Sequence, residues 1–128
     1  MDINSWQAQL RKGAAELVVL SLLAKGPRYG LEILEQAGGG SGVVSDGSIY
    51  PLLTRLERER KVNARWVMAA DAKIPRKYYR LTREGAALVA EMQQIWSEFS
   101  AFVSQRIEEG NDGKGAAPAG RAIPSRGG

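Results

Sequence analysis

The sequence predicts a mainly α (α+β) fold in the order helix-helix-helix-strand-strand-helix. Three observations carry this. Apolar residues recur at three- and four-residue spacings over residues 5–24, 29–37 and from Asp46 or Ser48 to Arg60. Two runs rich in β-branched and aromatic residues, Val62–Met68 and Arg76–Leu81, flank a connector containing Pro75. A last helical period begins after Thr82 and continues to Glu109, about 25 residues.

Each element has its own signal. In the first helix Trp6, Leu10, Leu17, Leu20 and Ala24 share a face, Ser5 is a candidate cap, and Lys25-Gly26-Pro27 ends it. The second carries Leu31, Ile33 and Leu34 and stops at Gly38-Gly39-Gly40-Ser41-Gly42, expected as a flexible connector. No Gly-Lys-Ser/Thr follows that run and no apolar strand precedes it, so it is not a phosphate-binding loop. Ser45 or Asp46 caps the third helix, whose apolar face is Ile49, Leu52, Leu53 and Leu56. Pro51 is tolerated if it lies near the first turn. In the second strand Tyr79 and Leu81 point to one face, while Arg76, Tyr78 and Arg80 point to the other. Thr82 caps the last helix, with Gly85 where a capping box has Glu, which predicts a weak start.

Composition narrows the chemistry. There is no Cys and no His, which removes thiol nucleophiles, disulfides, Cys/His metal sites and imidazole bases. The remaining carboxylates, Lys and Tyr are not paired at helical spacing, so the chain reads as a non-enzyme needing no cofactor or metal. The apolar run Leu17–Ala24 is far shorter than a membrane span, and Asp2 and Glu16 argue against a secretory leader. The expected location is the cytoplasm. From Arg55 to Arg83 ten basic residues face three acidic ones, a net of +7. Residues 84–111 hold one basic and five acidic residues, a net of −4. A basic segment of this kind suits a polyanion, although a merely solvated face is the plain alternative.

Three helices followed by a hairpin describe a winged helix-turn-helix, in which the third helix enters the major groove and the hairpin lies on the backbone. The candidate DNA-binding residues are Ser48, Tyr50, Thr54, Arg55, Arg58 and Lys61 on or just after the third helix, and Lys73, Arg76, Lys77, Tyr78 and Arg80 on the wing. Tyr79 reads as a packed strand aromatic. Leu88, Met92, Ile95, Phe99 and Phe102 form one ladder on the last helix, with Val89, Trp96 and Val103 beside it. Three short helices and a hairpin cannot cover so long an apolar stripe, so it predicts a homodimer on a pseudo-palindromic operator in double-stranded DNA.

The chain resembles the PadR family of transcriptional regulators, of the short type with a single C-terminal dimerisation helix. Three passages carry the likeness. The first runs Gln9-Leu10-Arg11-Lys12-Gly13 into Leu17–Leu23, then Gly26-Pro27-Arg28-Tyr29-Gly30-Leu31-Glu32-Ile33-Leu34. The second is Gly47-Ser48-Ile49-Tyr50-Pro51-Leu52-Leu53-Thr54-Arg55-Leu56-Glu57. The third is Pro75-Arg76-Lys77-Tyr78-Tyr79-Arg80-Leu81-Thr82-Arg83-Glu84-Gly85. The resemblance implies that the Tyr-Pro helix is the recognition helix and the Arg-Lys-Tyr-Tyr hairpin the wing. It supports Ser48, Tyr50, Thr54, Arg76, Lys77 and Tyr78 as DNA contacts. It also implies a repressor released by a small aromatic effector, with Trp96 placed like the ligand-stacking Trp of some members.

Two readings of Trp96 stay open. It stacks a planar effector across the dimer axis, with Trp6 closing one wall, or it is ordinary dimer core. The chain departs from the family in three places: Arg60-Lys61 where the turn usually has Gly and an apolar residue, the glycine-rich connector, and Lys73-Ile74 at the wing tip. The expected organisation is residues 1–81 as the winged domain, with its first helix also in dimer contact, 82–109 as the dimerisation helix, and 110–128 as a disordered tail. The alternative function is a winged-helix protein–protein interaction module without specific DNA binding.

Overall fold

The computed structural model describes residues 2–68, 70 and 73–112. They form α1 (Ile3–Ala24), β1 (Arg28–Tyr29), α2 (Gly30–Ala37), α3 (Asp46–Arg58), β2 (Val62–Val67), β3 (Arg76–Leu81) and α4 (Arg83–Asp112). The expected order holds, with one addition: the two-residue β1 joins the hairpin to make a three-stranded antiparallel sheet in the order β1-β3-β2. Two units result, residues 1–92 and the part of α4 from Gln93 onward.

The core of the first unit forms where helical and strand periodicities meet. Val19, Leu20 and Leu23 of α1, Ile33 and Ala37 of α2, and Ile49, Leu53 and Leu56 of α3 are buried together. Val44, Val62, Tyr79 and Val89 complete it. Leu88 and Met92, expected on an intermolecular surface, instead pack half-buried against this core, because the first turns of α4 lie over it.

Several ends differ from expectation. The cap of α1 is Asp2 and not Ser5; its carboxylate accepts from the Asn4 N–H at 3.1 Å. Pro51 is the sixth residue of α3, so it removes the bond to the Gly47 carbonyl, on an exposed face of the helix. The connector expected to be flexible is tied at several points. Val43 N–H donates to Ala37 O at 2.7 Å, Gly42 N–H to Gly39 O at 3.1 Å, and the Arg11 guanidinium to Gly40 O at 2.7 Å.

The third helix ends in a Schellman motif. Lys61 N–H reaches back to Leu56 O at 2.9 Å and Arg60 N–H to Glu57 O at 3.0 Å, with Arg60 left-handed at φ 64°. The expected weak start of α4 is also corrected. Thr82 Oγ1 accepts from Gly85 N–H at 2.9 Å and donates to Arg60 O at 2.7 Å, which joins this end of α3 to the start of α4. Gly85 stands there for want of room, since a Cβ would run into the Lys61 carbonyl oxygen. The helix continues to Asp112, three residues past the expected end at Glu109, and the rest of the expected tail, 113–128, lies outside the described residues.

Candidate nucleic-acid interface

The third helix presents a polar stripe because its apolar residues are spent on the core. With Ile49, Leu53 and Leu56 buried, the residues opposite them are exposed: Gly47, Ser48, Tyr50, Pro51, Thr54 and Arg58. Thr54 and Arg58 are exposed and make no ion pair among the described residues. Ser48 is exposed too, but its hydroxyl accepts from the Ser45 N–H at 2.9 Å and so helps to cap the helix. Tyr50 is half exposed, and its ring tip lies over Gly30 at the start of α2. A Cβ at Gly30 would sit 2.7 Å from Tyr50 Cε1, so glycine is what lets the ring rest there.

Two of the expected DNA contacts are ion-paired within the protein and partly exposed. Glu16 of α1 accepts from Lys61 Nζ at 2.7 Å and from the Arg55 guanidinium at 3.2 Å. Glu59 pairs with the same two cations, at 2.9 Å to Lys61 and 3.2 Å to Arg55. The four charges form one cluster that ties α1 to the end of α3. Burial works against the charged form of Arg55, but Glu16 and Glu59 outweigh it and hold its pKa above the ordinary value. The hydrogen bonds to Glu16 and Glu59 likewise raise Lys61, and the bond from Lys61 lowers Glu59.

The hairpin has two faces of different character. Register pairs Trp66 with Lys77, Ala64 with Tyr79 and Val62 with Leu81 on the face continuous with the core. Tyr79 is buried there, and burial pushes its hydroxyl pKa up. Lys77 on this face pairs with Glu57 of α3 at 3.6 Å and lies over the Tyr79 ring at 5.6 Å. The outer face carries Arg65 opposite Tyr78, Val67 opposite Arg76 and Asn63 opposite Arg80. β1 adds Tyr29, whose ring meets Tyr78 edge-on at 5.3 Å and carries the Arg76 guanidinium at 4.7 Å. Lys73, Arg76 and Arg80 are exposed, while Ala69, Asp71 and Ala72 of the tip lie outside the described residues.

Three cations of this surface had no place in the sequence reading of the site. Arg11 and Lys12 of α1 line a groove of about 700 Å³ together with Arg55 and Arg58. Arg65 joins the wing through its register with Tyr78. Only the tertiary arrangement brings the first two beside α3; Arg65 was legible as an alternate-residue partner within its strand.

On α4 the remaining expected interface residues are exposed. Ile95, Trp96, Phe99 and Phe102 follow one another along the helix, with Val103 and Ile107 beyond them. Trp6 is exposed on α1. Among the described residues no group of His, Cys, Asp and Glu could hold a metal, and no helix is long and apolar enough to cross a membrane.

Comparison with known proteins agrees with this geometry. Residues 19–91 match the transcriptional regulator PadR-like family. A PadR family regulator from Eggerthella lenta shares the fold with a TM-score of 0.70 and 29% identity, covering 83% of this chain and 92% of that one. A Streptococcus transcriptional regulator gives 0.67 and 32%, over 76% and 95%. A PadR-like transcription factor from Bacteroides fragilis gives 0.62 and 34%, over 79% and 97%. A match over more than half of the chain, with a shared winged-helix fold, shows that this protein belongs to the PadR-like family of DNA-binding transcriptional regulators and is not an enzyme.

Proposed function

We propose that the protein is a homodimeric repressor in the cytoplasm that binds a pseudo-palindromic operator and leaves it when a small aromatic effector binds. One observation carries this: an exposed polar stripe on α3 and a basic hairpin stand in the same unit, joined through Lys77 and Glu57. Tyr50, Thr54 and Arg58 read base edges in the major groove, with Ser48 at the helix start. Lys73, Arg76, Tyr78 and Arg80 contact the backbone, and Lys77 adds charge from its site beside Glu57. Arg55 and Lys61 are assigned to seating α3 against Glu16 and not to direct contact, because both are ion-paired.

The dimer surface is the exposed stripe Ile95, Trp96, Phe99 and Phe102, with Leu88 and Met92 given over to the intramolecular core. Trp96 meets its mate near the two-fold axis and stacks a planar ligand there. Ligand binding favours a spacing of the two recognition helices that mismatches the operator, so DNA affinity falls by the ligand's preference between the two arrangements.

Selection of bound duplexes from a random pool tests the reading. A symmetric consensus with half-sites about one helical turn or a multiple apart is the expected result. No enrichment at low salt would sink it. Quenching of Trp fluorescence by planar aromatic compounds, lost in Trp96→Leu and accompanied by weaker operator binding, tests the effector.

A further inference from the structure

We propose that the groove between α1, the connector of residues 38–44 and the start of α3 binds a small amphipathic carboxylate, an apolar body with one anionic end, and that the bound anion withdraws Arg58 from the operator. The inference rests on the DNA-binding reading above and adds to it a ligand site within one winged domain, whose lining does not include Trp96.

The groove holds about 700 Å³, within the range of small-molecule sites. Its connector wall is held in place. Gly38 bridges Val44, Val43 N–H donates to Ala37 O at 2.7 Å, and the Arg11 guanidinium donates to Gly40 O at 2.7 Å. Gly39 and Gly42 line the groove and bring no side chain into it. A Cβ at Gly42 would run into the Ala37 and Gly38 carbonyl oxygens, so glycine lets this wall fold back on the end of α2. The glycine-rich run thus leaves room for a ligand.

The lining divides by chemistry. Ala15, Val43, Val44 and Leu52 are buried or half-buried with the core and give the groove an apolar floor. Arg11, Lys12 and Arg58 line the same groove, are exposed, and make no ion pair among the described residues. The acid of the lining, Glu16, has its two carboxylate oxygens on Arg55 and Lys61. Unpaired cations beside an apolar floor suit an anion with an apolar body. The carboxylate gains charge-assisted hydrogen bonds from the guanidinium groups while the body leaves water. A DNA phosphate would use the cations but not the floor. Arg58 also belongs to the exposed stripe of α3, so a carboxylate paired with it competes with the operator for one side chain. Operator affinity then falls by the ligand's preference for free over DNA-bound protein.

The test uses the full chain, with 2-naphthoate as the probe and 2-naphthalenemethanol as its neutral counterpart. The amide NMR shifts of Ala15, Val43 and Ser48 should move saturably with naphthoate, in wild type and in Trp96→Leu alike. The alcohol should bind roughly tenfold more weakly, and so should naphthoate to Arg11→Ala and to Lys12→Ala. Lys12→Ala leaves the bond from Arg11 to Gly40 in place, so its loss reads charge and not a loosened connector. On a duplex selected from a random pool, saturating naphthoate should weaken wild-type binding roughly tenfold and leave binding of Arg58→Ala unchanged. Shifts confined to Ile95–Phe102, equal binding of the alcohol, or no saturable shift overturns the site. An operator affinity that ignores naphthoate overturns the competition at Arg58. A salt slope on random duplex that flattens by about one unit in Lys12→Ala, with naphthoate binding unchanged, gives the cations to phosphates instead. A pool that yields no duplex refutes the DNA-binding reading, whereas the NMR titration contains no DNA and separates the two failures.

Discussion

Glu16 and Lys61 meet at 2.7 Å, and through that contact α1 neutralises a cation placed just past the end of α3. Arg55 joins the same carboxylate at 3.2 Å. Two charges that sequence assigns to DNA are therefore satisfied within the protein. Glu59 holds the same two cations, so Glu16→Gln combined with Glu59→Gln should release both. Binding to a random-sequence duplex should strengthen, and the slope of log affinity against log salt should steepen by about one to two. Lys61→Ala should leave that slope nearly unchanged. If Lys61→Ala flattens it by a full unit, Lys61 contacts phosphate despite its pairing.

The same cluster gives a signed pH dependence. Glu59 has a lowered pKa, chiefly through Lys61. A depressed carboxylate contributes stability that is present above its unfolded pKa and lost as pH falls through the folded one. The raised Lys61 and Arg55 contribute below their ordinary values and lose that contribution only at strongly alkaline pH. Urea midpoints at low salt between about pH 3 and 6 should fall more steeply for wild type than for Glu59→Gln. Parallel curves would show that the pairing is too screened to matter.

Tyr50 depends on a glycine twenty residues away. With a Cβ at Gly30 only 2.7 Å from the ring, Gly30→Ala must push Tyr50 off its site. The ring tip is free to move, so the fold should survive with little change in Tm. Operator affinity should drop by about 1–3 kcal/mol if Tyr50 reads a base, and affinity for random duplex should hold. Equal loss on both duplexes would make Tyr50 a backbone contact.

Arg60 sits at φ 64°, the left-handed residue of the Schellman motif that ends α3. A non-glycine residue there is strained by about 1–2 kcal/mol, partly offset in glycine by its freer unfolded chain. Arg60→Gly should stabilise the protein by about 0.5–1 kcal/mol in urea unfolding. A destabilised variant would mean that the Arg60 side chain contributes more than its backbone costs.

The elements and the core were legible because local periodicity set them. Ile49, Leu53 and Leu56 face inward, as their spacing requires, and Tyr79 is buried as alternation along β3 requires. What local pattern could not show were relationships across the chain. Arg28–Tyr29 is too short for strand periodicity and becomes β1 only because β3 offers a free edge. Gly85 looks like a missing capping-box residue until the Lys61 carbonyl is seen against it. The pairing of Arg55 and Lys61 with Glu16, about forty residues earlier, has no local signal in the sequence. Leu88 and Met92 share a ladder with Ile95 in sequence, and only the path of α4 divides the ladder into a covered and an open part.

That open part argues for the dimer and predicts what abolishes it. Ile95, Trp96, Phe99 and Phe102 are each about half exposed or more, with Val103 and Ile107 continuing the apolar run. Burying an aliphatic or aromatic side chain of this size gains about 1.5–3 kcal/mol. Each residue counts twice in a two-fold interface, and with about half of each side chain left to bury the six residues gain roughly 9–18 kcal/mol in all, comparable to the roughly 4–15 kcal/mol lost in association. Phe99→Asp places a charge in the middle of the stripe on both copies, where it is desolvated and faces its own mate. Sedimentation should show a monomer for Phe99→Asp at micromolar concentration and a dimer for wild type. Far-ultraviolet circular dichroism should stay close to wild type, since residues 1–92 keep their own core. Operator binding should weaken far more than the loss of any single base contact explains, because one winged domain alone engages one half-site. A Phe99→Asp protein that remains dimeric and binds the full operator normally would move the association surface elsewhere on the chain.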